Sequence, residues 1–277
     1  MKKITALGRP VDINYPTNRI IILFSLLFMA IVLIRHLVTA APFFEALITA
    51  LVAGLALFLG WAFAREIDPA SEWSAFVALP VIVGANFIFG SPSLLALFFM
   101  ILFSRVLNRC TGVPAKKGDS LLLLVMGALL YNSGFVSALP VLTLVFLIDA
   151  YLEPRHRKQT VFALSTLILF FFMTFIYPAG EVLASVGALN LPLYIIPLLV
   201  VAVVMLYFSR PLPVLDDLGT SSLSYKRIQS VRIVAALYIT AELLLQGYSA
   251  ILHLYPALFV YGGTGLYHLV NRYYKVS

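Results

Sequence analysis

Residues 20–34 read IIILFSLLFMAIVLI, an uncharged run held between Arg19 and Arg35. A second run follows almost at once, FEALITALVAGLALFLGWAFA over residues 44–64, and ends in Arg65-Glu66-Ile67-Asp68-Pro69. Hydrocarbon accepts such stretches along their whole length, whereas a charged side chain at the bilayer centre costs about 2.5–3.5 kcal/mol on insertion scales. The two runs are therefore predicted to be membrane helices. The same punctuation, an apolar run closed by charge or by a Pro/Gly cluster, predicts further helices at about 73–89, 93–107, 120–131, 135–151, 160–177, 192–208, 233–252 and 256–270.

Composition agrees with this reading. The 277 residues are 62% hydrophobic and 11% charged, where a soluble domain carries about 25% charge and about 45–50% apolar residues. At about 20 residues per crossing, the chain has room for roughly ten helices joined by short loops. The expected fold class is all-α, a polytopic transmembrane bundle. One integral membrane domain is expected over residues 1–277, opening with a short stretch 1–19 and holding no soluble domain. A cleavable signal peptide is the weaker reading of the first run, because it starts late and Arg35 and His36 follow it directly.

The loops sort by charge. Lys2, Lys3, Arg9 and Arg19 precede the first run, and clusters return in every second connection: Arg65, then Arg105, Arg109, Lys116 and Lys117, then Arg155, Arg157 and Lys158, then Arg210, Lys226, Arg227 and Arg232, and finally Arg272 and Lys275. The connections between them are almost uncharged. The positive-inside rule then places both termini and the charged loops on the cytoplasmic side of an inner (cell) membrane. The segments at 93–107 and 120–131 are short for a full crossing and could form a re-entrant pair. The net charge of +7 has the same origin as the loop clusters, so no nucleic-acid partner is expected. The expected partner is the lipid bilayer, with an anionic lipid or lipid phosphate as a possible ligand; the oligomeric state is not legible.

Two strings resemble one another, SAFVALPV from Ser74 and SGFVSALPV from Ser133. They cross in opposite senses, and chance among Ala, Val, Leu and Phe accounts for them better than an internal repeat. Pro80 and Pro140 are expected to kink or open their helices, because each lacks a backbone donor. The single cysteine, Cys110, excludes an internal disulfide. No His-rich metal pattern, haem pair, nucleophile elbow or Walker sequence is present, so neither metal nor cofactor is expected.

Insertion explains the cations but not the acids beside them. Arg65, Asp68, Arg105, Asn108, Arg109, Asp149 and Arg155 cluster at helix ends on the charged side, where arginines could hold phosphate oxygens bidentately. That makes a candidate anionic-ligand site, against solvated caps and loop salt bridges as the plainer account. The second candidate is intramembrane: Glu242, near the midpoint of the run 233–252, shares a helix face with Tyr238 and Gln246, His253 follows toward the outer end, and His268 in the next run is offered as another partner. A carboxyl at that depth must be protonated, paired or facing water; a protonated glutamate binding a neighbouring helix is the plainer account. Three functions follow: a permease-like transporter using Glu242, a membrane enzyme acting on a lipid-linked or polyprenyl phosphate, or a non-catalytic subunit of a membrane complex. The sequence leans to the first.

Overall fold

A computed structural model describes residues 5–9, 11–176, 200, 214–219 and 221–276. Among them the regular elements are helices: α1 (Pro16–Val38), α2 (Phe43–Ile67), α3 (Ser74–Val77), α4 (Leu79–Phe89), α5 (Leu94–Asn108), α6 (Lys117–Asn132), α7 (Ala138–Tyr151), α8 (Gln159–Ile176), α9 (Tyr225–Gln246) and α10 (Tyr248–Val276). One isolated antiparallel bridge joins Leu215 to Ser222. The helix expected at 192–208, with Glu181 and Arg210 in its flanking loops, lies outside the described residues except at Val200.

By length and composition, α1, α2, α8 and α9 can each cross a membrane. Their surroundings differ. On α8, Val161, Leu164, Ile168, Phe171 and Phe175 form one exposed apolar stripe at helical spacing, and α1 likewise exposes Leu23, Leu27, Ile31 and Ile34. Such faces are compatible with contact with lipid. In contrast, α2 is central and packs against α1, α4, α5 and α10. Its inward positions are small, with Ala46, Ala50 and Ala53 fully buried, which lets neighbouring backbones approach where no hydrophobic drive separates protein from lipid.

Four boundaries differ clearly from the sequence reading, and each has a local cause. The segment 73–89 is broken at Ala78 into α3 and α4, with Pro80 in the first turn of α4. Pro140 similarly falls in the first turn of α7, which begins at Ala138 rather than at 135. In that first turn a missing N–H costs little, so both prolines start helices instead of kinking them. The third difference is larger. The junction expected at Leu254-Tyr255, ahead of Pro256, lies instead at Gly247, whose φ of +59° closes α9; Pro256 is inside α10. At its other end α9 continues through Arg232 and Arg227 to Tyr225, because those guanidinium groups find carboxylates and carbonyls within the bundle.

These helices collect their ends in two layers. The ends of α2, α5 and α7 meet the starts of α6 and α9 in a charged layer. At the opposite end, Ser93 N donates to the carbonyl of His253 at 3.1 Å. There too Asn86 Nδ2 donates to Tyr255 Oη at 2.9 Å. Gly263 lies where an added Cβ would stand 2.8 Å from Ala78 N, so this glycine serves close contact between α10 and the junction of α3 with α4.

Candidate functional site

The charged layer has three carboxylates at its centre. The terminal turn of α2 places Glu66, 1% exposed, against the end of α5. Glu66 Oε1 accepts from Arg105 Nε at 2.8 Å, and Oε2 accepts from Asn108 Nδ2 at 2.8 Å and from the Cys110 thiol at 3.1 Å. Arg105 and Asn108 share a face of α5, as i, i+3 spacing requires. Burial, and secondly the negative Glu66, push the Cys110 thiol well above its ordinary value.

Asp68, just past α2, accepts from Ser74 Oγ at 2.8 Å and faces His268 Nε2 at 2.8 Å and Arg232 Nη2 at 3.6 Å. Burial opposes its ionisation. The hydrogen bonds from His268 and Ser74, with the nearby Arg232, outweigh burial and hold the carboxyl below the usual carboxylate range.

Asp149, at the end of α7, is fully buried between two arginines. Its Oδ1 accepts from Arg109 Nη2 at 2.7 Å and from Arg227 Nη1 at 2.8 Å, and Oδ2 faces His156 Nδ1 at 3.5 Å. Arg109 reaches it from a left-handed position closing α5, with φ of +53°. Arg227 also donates to the carbonyls of Leu107, Leu152, Glu153 and Pro154. It therefore ties α5, α7 and α9 together.

Of the seven residues expected to form an anionic-ligand site, the structure brings Asp68, Arg105, Asn108, Arg109 and Asp149 into this layer; Arg109 and Asp149 pair with each other, whereas Arg105 and Asn108 bind Glu66 and Asp68 binds Ser74, His268 and Arg232. Arg65 stands apart, 3.7 Å from Glu72, and one of its buried guanidinium nitrogens has no hydrogen-bond partner among the described residues. Arg155 is half-exposed and pairs with Glu153 at 2.9 Å. The sequence reading did not include Glu66, Arg227 or Arg232 among its site residues, and it offered His268 as a partner for Glu242, whereas the structure pairs His268 with Asp68. For the two arginines a signal existed: residues 225–232 hold no Pro or Gly after Ser224, so the helix could start there and carry both into the bundle. For His268, paired with Asp68 two hundred positions earlier, none did.

The second candidate lies at the opposite end. Glu242 is four residues from the end of α9, not at mid-helix, because the junction falls at Gly247. Its side chain is fully buried. Oε1 accepts from Ser137 N at 2.9 Å and from Ser137 Oγ at 2.5 Å, and Oε2 accepts from Gln246 Nε2 at 2.6 Å. Ser137 is the residue that opens α7, so the carboxyl sits on the positive end of a helix dipole. Gln246 also donates to the carbonyl of Gly134 at 2.9 Å, fixing the turn between α6 and α7. No cation pairs with Glu242 among the described residues.

Tyr238 is on the same side of α9, one turn earlier, fully buried against Phe99 and Phe103. Its hydroxyl has no hydrogen-bond partner among the described residues. His253 is not against Glu242: its ring packs on Phe135 with centroids 5.8 Å apart.

The chain matches no family model, no curated protein and no solved structure.

Proposed function

We propose that this is a multi-pass inner-membrane permease of about ten crossings, with both termini and the charged layer on the cytoplasmic side, in which Glu242 couples solute movement to proton movement. One observation carries the reading: a fully buried carboxyl held by three neutral donors and, among the described residues, no counter-ion. Neutral donors hold a carboxylate less firmly than a bound arginine would, and the Ser137 hydroxyl can turn to accept from the protonated form. Its location adds support. The carboxyl meets the N-terminus of α7 at Ser137, close to the turn at Gly247 that closes α9, and permeases likewise set helix ends against a buried charge.

A membrane enzyme acting on a lipid phosphate fits less well. Such a site needs cations available to the ligand, and Arg105, Arg109 and Arg227 are already bound to Glu66 and Asp149. The non-catalytic subunit is favoured by one observation: Glu242 is sealed from solvent in this conformation.

The two readings separate in reconstituted vesicles. Proteoliposomes containing a pH-sensitive dye are challenged with a library of small solutes; the permease reading expects at least one solute to move protons with wild-type protein and none to do so with Glu242→Gln. Proton movement that survives Glu242→Gln removes the coupling role, and the absence of any response with wild type leaves the subunit as the better account.

A further inference from the structure

Residues 5–9 belong to no helix, yet they are among the better-buried residues of the charged layer: Ala6 is 2% and Leu7 4% exposed. They are anchored by groups far away in sequence. Asp119, in the first turn of α6, accepts from the Thr5 hydroxyl and from Ala6 N at 2.9 Å. The Leu7 carbonyl accepts from Arg105 Nη1 at 2.6 Å. Leu7 packs into the main apolar core, and Arg9 reaches Asp217 at 2.9 Å and Glu66 at 3.9 Å. Thus a carboxylate takes a backbone N–H, a guanidinium takes the next carbonyl, an apolar pocket takes one side chain and two acids take another. That is how a binding groove reads an extended peptide.

The recess does not need the segment in order to exist. Asp119 retains Lys116 N at 2.9 Å. Arg105 retains Glu66, and Glu66 retains Asn108. Asp217 N donates to the Cys110 carbonyl at 2.8 Å. A groove whose walls are held by one another is already organised for its occupant. Between this segment and α1, Val11 and Ile13 are exposed, so the link is a tether over the surface.

We propose that this recess is a peptide-binding site that holds residues 5–9 in cis as a removable strap over the Glu66–Cys110 pair. Cys110 reports on it, since it is the only cysteine and is 3% exposed beneath Arg9 and Glu66. The inference is independent of the permease reading, because it concerns the other end of the bundle and its readout is chemical.

The test uses a full-length chain carrying a specific protease site between Val11 and Asp12, folded and purified intact, then cut. Alkylation of Cys110 by N-ethylmaleimide at fixed pH is expected to accelerate at least tenfold on cutting and dilution. A synthetic peptide of residues 1–11 should reverse the acceleration in a saturable way; the same peptide carrying Leu7→Asp and Arg9→Glu should not. An unchanged rate after cutting, or an acceleration that the wild-type peptide does not reverse, overturns the proposal.

Discussion

Replacing Asp149 by alanine strands two guanidinium groups that the fold has desolvated. The Arg109 side chain is 12% exposed and can turn toward water, but that of Arg227 is 2% exposed and is fixed by carbonyls of Leu107, Leu152, Glu153 and Pro154 at 2.7–3.1 Å. Removing one partner of a buried pair costs about 3–5 kcal/mol. With a single arginine left stranded, the expected loss is at the lower end, about 3 kcal/mol, or roughly two decades in the folding constant at about 1.4 kcal/mol per decade. Asp149→Asn keeps an acceptor and should fall between. The double variant Asp149→Leu/Arg227→Met, which removes both charges, should recover part of the loss. Unfolding in mixed detergent micelles titrated with SDS, followed by circular dichroism, measures all three. Asp149→Ala within about 0.5 kcal/mol of wild type would refute the reasoning, since it would mean that water reaches the pair.

Three further outcomes follow from particular contacts. Because the folded Asp68 carboxyl lies below its ordinary value of about 3.9, its contribution to stability is fully present above that value. It is lost as pH falls through the folded value; Asp68→Asn should lower stability at neutral pH and flatten the acid limb, and an unaltered acid limb counts against the pairing with Ser74, His268 and Arg232. Gly263→Ala places a Cβ 2.8 Å from Ala78 N and 2.9 Å from Ala78 Cα. It should cost about 1–3 kcal/mol by forcing α10 from α3, read in the same SDS titration, where no loss would mean that the helices are not so close. Tyr238→Phe removes a buried hydroxyl with no partner among the described residues, so stability should be unchanged or rise by up to about 1 kcal/mol; a loss above about 1 kcal/mol would reveal a bond to that hydroxyl.

Much of the helical pattern was legible because charge marks where hydrocarbon stops: α1, α2 and α8 lie within a few residues of their apolar runs. The rule failed where charge was buried instead of solvated. Arg227 and Arg232 look like the end of a run, yet carboxylates and carbonyls absorb them and α9 continues to Tyr225. It failed again at Pro256, taken as a boundary although Gly247 was the residue free to adopt φ of +59°. That one shift moved Glu242 from the middle of a helix to its last turns, beside Ser137. The oddness of Glu242 was visible in sequence; its partners were not, because Ser137 lies more than a hundred positions away and only packing joins them.

The reading of Glu242 as an isolated, proton-exchanging carboxyl is tested most directly by infrared difference spectroscopy of the protein in lipid across a pH jump. Wild type is predicted to show a carboxyl C=O band that grows on acidification and is missing from Glu242→Gln, with helical content equal in the two. The same bands in both proteins would contradict the account.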